Sequence, residues 1–146
     1  MIVSADTNLF LYAANSDSPH YESAQKFFEE QSTSGERFLL CGLVLIELYM
    51  QLRNPAVFKK PKSGREAAAF CDALRSNPAW EFGDYEPEVM KPLWNWASKS
   101  TSGFRHIIDA RLAFTLQHHG VTHFATANVA HFKNLGFEKV WSPIAR

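Results

Sequence analysis

A chain of 146 residues, 46% hydrophobic and 21% charged, can build one core and bury roughly 70% of the surface its unfolded form exposes, which excludes a disordered chain. Lys and Arg number 15, as do Asp and Glu, so no global field attracts a polyanion and any nucleic acid must be met by a local patch. The longest apolar run, Phe38 to Ile46, falls short of the about 20 residues a membrane helix needs, and the chain enters an apolar stretch at Ile2 with no basic leader or cleavage site, which reads as a cytoplasmic protein without a membrane anchor.

Met1 to Ala5 reads as a short buried strand, after which Asp6, Thr7 and Asn8 offer cap-capable side chains ahead of the apolar run Leu9 to Ala13. Ser18-Pro19 reads as the N-cap and first residue of a helix with Tyr21, Ala24, Phe27 and Phe28 on one face, ending before Gly35. Phe38 to Cys41 is a predicted strand, and Leu43 to Leu52 a nearly all-apolar helix that stops ahead of Asn54-Pro55. A capping box, Ser63-x-x-Glu66, opens a helix to about Arg75. Trp80 to Phe82 is a brief strand, Pro87 to Ala97 a helix, and Lys99 to Gly103 a polar loop. Ile107 to His118 is a helix stopped by Gly120, followed by strands at Thr122 to Ala125 and Lys139 to Trp141. Short strands alternating with helices predict an α/β fold of three layers, α/β/α, with a mostly parallel central sheet, as one domain over residues 1–146 without repeat or linker. Cys41 and Cys71 lack C-x-x-C spacing and sit in apolar stretches, so they read as small buried hydrophobes of a reducing compartment.

Three acids stand out. Glu47 is the one charge in the apolar helix Leu43 to Met50, where a carboxylate needs a cation, a proton or a water-filled cleft. Asp6 follows the first strand, and ligands of parallel α/β sheets bind at the carboxyl ends of strands. It could also be a plain helix N-cap, although Thr7 and Asn8 could serve equally well. Asp109 lies in the first turn of its helix, where it suits the helix dipole but is a weak signal alone. Together these carboxylates suit Mg²⁺ or Mn²⁺, hard ions that favour oxygen ligands and promote water attack on a phosphodiester. Zinc fits less well, because Gly120 separates His119 from His123 and denies them a shared helical face. His106, one turn before Asp109, could act as a general acid but reads more simply as a solvent-facing side chain.

The ordered set Asp6-Thr7-Asn8, Glu47 in its apolar helix, Asp109-Ala110, and Thr126-Ala127-Asn128 followed by Phe132 resembles the PIN-domain ribonucleases over nearly the whole chain. Within that superfamily the start ADTNLFLYA, the segment RNPAVFKKP and the chain length resemble the VapC-type toxins of toxin–antitoxin operons. The resemblance implies a Mg²⁺- or Mn²⁺-dependent endoribonuclease with Asp6, Glu47, Asp109 and Asn128 in the catalytic site and Asp6 and Asp109 holding the metal. It also implies an RNA substrate, a homodimer and an antitoxin protein that blocks the site. One departure is visible: where the family often carries a further acid in T-x-D-x-D-F, this sequence has Asn128 and His131, and an amide can accept a hydrogen bond but adds no charge.

A haloacid-dehalogenase-type phosphatase would need a second Asp where Asn8 stands, and a receiver domain would need a mid-chain strand-end Asp that is not evident. A housekeeping PIN nuclease and a PIN-like module that binds without cutting are the remaining alternatives. From Arg53 to Arg65 the only charges are basic (Arg53, Lys59, Lys60, Lys62, Arg65), which reads either as a solvated loop or as a holder of RNA phosphates.

Overall fold

A computed structural model describes residues 1–144. Five parallel strands, β1 (Ile2–Ala5), β2 (Arg37–Cys41), β3 (Glu81–Gly83), β4 (His123–Ala125) and β5 (Lys139–Trp141), form one sheet in the order β3-β2-β1-β4-β5. The connecting helices are α1 (Thr7–Ala13), α2 (Tyr21–Thr33), α3 (Gly42–Leu52), α4 (Gly64–Arg75), α5 (Met90–Lys99, entered through a 3₁₀ turn at Pro87–Val89), α6 (His106–His118) and the short α7 (Val129–Phe132). The α/β/α expectation holds. All four residues of β1 are buried, as a central parallel strand covered on both faces requires.

The polar member of β1, Ser4, is accommodated by donating its hydroxyl to Leu39 O at 2.7 Å, which ties β1 to β2 through a side chain as well as the ladder. Phe10, Phe28, Phe38 and Trp80 form one aromatic cluster, with Phe10–Phe28 centroids 4.7 Å apart and Phe38–Trp80 centroids 4.8 Å apart. It packs α1 and α2 over β2 and sets the position of α1. Both cysteines are buried and free, and burial pushes the Cys41 thiol up to about 11, as expected of inert core residues.

Several local expectations are corrected. Ser18 does not cap α2: its Oγ accepts from His20 N and its carbonyl from Tyr21 N, a turn that spends the Ser-Pro pair before the helix starts. Trp80 precedes its strand, packing its ring on Phe38, so β3 runs one residue later than expected. The helix around Glu47 is not covered on every side, because Ile46 and Met50 are 67% and 63% exposed and Glu47 is exposed beside them. Its carboxylate therefore keeps access to water and avoids the desolvation cost that an all-round apolar burial would impose.

Candidate active site

The strand order creates a switch point. From β1 the chain winds outward through β2 to β3, then returns to place β4 on the other side of β1. Connections leave these two neighbours in opposite senses, which opens a crevice at their carboxyl ends. Asp6 is the first residue after β1 and Thr126 the first after β4.

Asp6 is pinned there. Its backbone N–H continues the ladder to Ala125 O at 2.8 Å, its Oδ1 accepts from Thr7 N at 2.8 Å, and its Oδ2 accepts from the buried Thr126 hydroxyl at 2.8 Å. Burial pushes the Asp6 carboxyl up to about 6; the hydrogen bonds from Thr126 and Thr7 oppose this rise, and the charges of Glu47 and Asp109 add to it. Asp6 is thus both the N-cap of α1 and a perturbed acid. The two roles are compatible because each oxygen carries one hydrogen bond and retains a lone pair.

Glu47 comes from the second turn of α3 and is oriented by Thr7, whose hydroxyl donates to Oε2 at 3.1 Å. Neighbouring Asp6 and Thr7 thereby link the two carboxylates. Asp109 projects from the first turn of α6, and burial raises its pKa while His131 and His106 pull it back. Nδ1 of His131 lies 3.7 Å from Asp109 Oδ2, and His106 Nε2 bonds His131 O at 2.8 Å, with the His106 ring edge-on to Trp96. A carbonyl only accepts, so this contact places the proton of His106 on Nε2. Asn128 joins through its backbone: its N–H donates to Thr126 Oγ1 at 3.0 Å, while its side chain is exposed and does not cap α7.

The donor chemistry fits a hard divalent cation. Carboxylates close enough to perturb one another, two of them carrying a desolvation penalty, are relieved by a positive charge. Among the described residues the ligand atoms of Asp6, Glu47 and Asp109 do not all lie within 4.8 Å of one another, and the one trio that does is Glu86, Glu88 and His118. His118 ends α6 and Asp109 begins it, so about 13 Å of helix separates that trio from Asp109. It is accounted for by the 2.7 Å contact of His118 with Glu86.

The surface carries two clefts, the first of which is lined in part by Asp109. One of about 460 Å³ is bordered by Phe104, Arg105, His106, Asp109 and His131. The other, about 680 Å³, runs between the end of α1 and the loop after α3 and carries Lys59, Lys60 and Lys62. Sequence reasoning missed Thr7 and Thr126 as positioning groups, and it saw in His131 only a missing acid. Thr126 alone carried a hint, as a polar residue directly after a predicted strand.

The PIN domain family matches residues 3–138. Ribonuclease VapC24 of Mycobacterium tuberculosis is 43% identical over 143 residues, covering 98% of this chain and 97% of the relative. The chain belongs to the PIN-domain family. Among solved structures, VapC20 of Mycobacterium tuberculosis, described as a sarcin-ricin loop cleaving toxin, aligns with a TM-score of 0.63 at 15% identity over 84% of this chain and 86% of its own. VapBC2 of Rickettsia felis, bound to promoter DNA, aligns at 0.64 and 18% identity over 95% and 98%. FitAcB of Neisseria gonorrhoeae aligns at 0.64 and 15% identity over 98% of both chains. These distant structures establish the PIN fold for this chain.

The raised pKa of Asp6 sets a pH signature. Between 3.8 and about 6 the folded chain holds a proton that the unfolded chain has released, so stability falls as pH rises through that window. The carboxylate costs the metal-free fold about 3 kcal/mol above it, reduced by whatever hydrogen bonding an amide loses. In thermal melts with EDTA, Asp6→Asn is expected to unfold above the parent at about pH 7.5, with the gap closing toward about pH 4. A variant less stable than the parent at both pH values would assign Asp6 a purely structural role.

Proposed function

We propose that this chain is a metal-dependent endoribonuclease acting as the toxin of a toxin–antitoxin pair. The observation that carries the reading is the buried Asp6 carboxylate, pinned at the switch point between β1 and β4 and sharing its field with Glu47 and Asp109. The 43% identity to Ribonuclease VapC24 across almost the whole chain supports it. In this reading Asp6 and Asp109 hold Mg²⁺ or Mn²⁺, and Thr126 and Thr7 fix the orientation of the acids. When bound, the ion supplies Lewis acidity toward a phosphodiester and lowers the pKa of water for attack. Glu47, with Oε2 engaged by Thr7 and Oε1 available, accepts a proton from the attacking water. Asn128 contributes its exposed amide as a neutral orienting group, leaving a local formal charge of −3 from the three acids.

A protein antitoxin covers the site; the likeness to VapBC2 and FitAcB supports such a partner. The exposed pair Ile46 and Met50, one turn apart on α3, supports a homodimer that shields this face. No helix among the described residues is long and apolar enough to cross a membrane; in this reading the chain acts as one domain in the cytoplasm.

Pure protein with Mn²⁺ is expected to cleave total RNA, and EDTA to stop it. Groups that merely orient a ligand cost about 10- to 100-fold when removed, so Asp6→Ala and Asp109→Ala should each lose more than about 100-fold, and Asn128→Ala less. Asn128→Asp, by adding a charge, should tighten Mn²⁺ binding measured by calorimetry. RNA that is bound but never cut by the metal-loaded parent would favour the binding-module alternative.

The lysine cleft supplies the local patch that a neutral chain needs. In this reading Lys59, Lys60 and Lys62 hold RNA phosphates, and Tyr12 in the same cleft lies about 9 Å along α1 from Asp6. Replacing the three lysines with Gln should weaken single-stranded RNA binding and reduce the slope of log K against log salt by about 0.7 per lost contact. An unchanged slope would leave the loop as a solvated surface.

A further inference from the structure

Phe104 is 90% exposed, the highest exposure of any large apolar side chain described. A lone exposed Phe can be incidental, but this one forms a wall of the 460 Å³ cleft that also contains Asp109. Another part of the lining is held in place: His106 is fixed by its bond to His131 O at 2.8 Å and by the edge of Trp96, with ring centroids 5.3 Å apart. Arg105 places a guanidinium at the same opening. The cleft thus combines an unpartnered aromatic face, a pre-set imidazole wall and a cation beside a candidate catalytic carboxylate.

We infer that this cleft receives one nucleobase of the RNA strand being cut, stacked on the Phe104 ring. The inference rests on the nuclease reading for the position of the phosphate. If Asp109 helps hold the reacting phosphodiester, the base of an adjoining nucleotide lies within reach of a cleft that shares that carboxylate. Single-stranded RNA is recognised by splaying bases onto aromatic side chains, with cationic groups on the backbone, and every base has a π-face to offer. Arg105 meets the flanking phosphate. The polar edges of His106 and His131 face the stacked base and give the cleft a means to prefer one base over another.

The test uses the full chain carrying Asp6→Asn, so that binding is read without cleavage, and a fluorescent single-stranded RNA of roughly 12 nucleotides. Stacking of one base corresponds to about 5- to 140-fold in affinity. Phe104→Ala and Phe104→Leu should weaken binding by that factor, and Phe104→Trp should retain it. Moving one abasic nucleotide along the RNA should identify a position that weakens the parent equally and adds nothing to Phe104→Ala. Parent-like binding by Phe104→Ala, equal affinity of Phe104→Leu and parent, or a loss of affinity accompanied by dissociation of a dimer in sedimentation would overturn the inference. RNA cleavage by the unsubstituted chain is measured in parallel. Cleavage with Phe104-independent binding rejects the stacking cleft alone, whereas Phe104-dependent binding without cleavage rejects the nuclease reading and leaves the cleft standing.

Discussion

The hydrogen bond from Thr126 to Asp6 joins the two strands on which the architecture turns. β1 and β4 are neighbours whose connections run in opposite senses, and beyond the last backbone bond, from Asp6 N–H to Ala125 O, their carboxyl ends diverge around a gap. Thr126 closes that gap with one hydroxyl used twice, donating to Asp6 and accepting from Asn128 N. The entry to α1, the exit of β4 and the start of α7 are thereby set relative to one another. Thr7 extends the link to Glu47 on α3. A small network of two threonines thus determines the distances among groups that repel, and the fold supplies the energy to hold them.

Electrostatics at this point works against the stability of the metal-free fold. Asp6 has lost most of its hydration, and the charges of Glu47 and Asp109 raise its proton affinity further. Its own hydrogen bonds offset only part of that cost. Asp109 is better placed, since His131 and His106 lower its pKa against the effect of burial. The histidine at position 131 therefore changes the character of the site as well as removing an acid from it: a group that can carry positive charge stands 3.7 Å from a carboxylate that the family resemblance assigns to metal. The two histidines also bind each other through a backbone carbonyl, so α6 and α7 are joined at the mouth of the cleft.

Much of the fold was legible because strands and helices alternate with clear breakers, and β1, β2, β4 and β5 lie within a residue of their expected places. Asp6 stood out because ligands of parallel α/β sheets bind at strand ends, and it does lie at the junction of β1 and α1 beside β4. Glu47 was singled out for a reason that fails: periodicity cannot distinguish a helix buried all round from one with an uncovered apolar face, and Ile46 and Met50 show α3 to be the second kind. Thr126 gave only the hint of a polar residue directly after a strand, because its partner lies 120 residues away and no local pattern encodes such a contact. The misreading of Ser18-Pro19 has the opposite origin, since the pair satisfies two local rules at once and a tight turn used it first.

That separation of 120 residues bears on how the molecule comes into being. The setting of Asp6 needs β4 docked beside β1, and Thr126 is made 120 residues after Asp6. Until then the emerged polypeptide carries Asp6 and Glu47 on unassembled segments, with Asp109 arriving late and Thr126 later still. Chains grow at about 5–20 residues per second, so Asp6 spends several seconds in existence before its strand partner is made. The geometry around Asp6 is therefore absent through that interval and forms only after Thr126 has been made and β4 has docked beside β1.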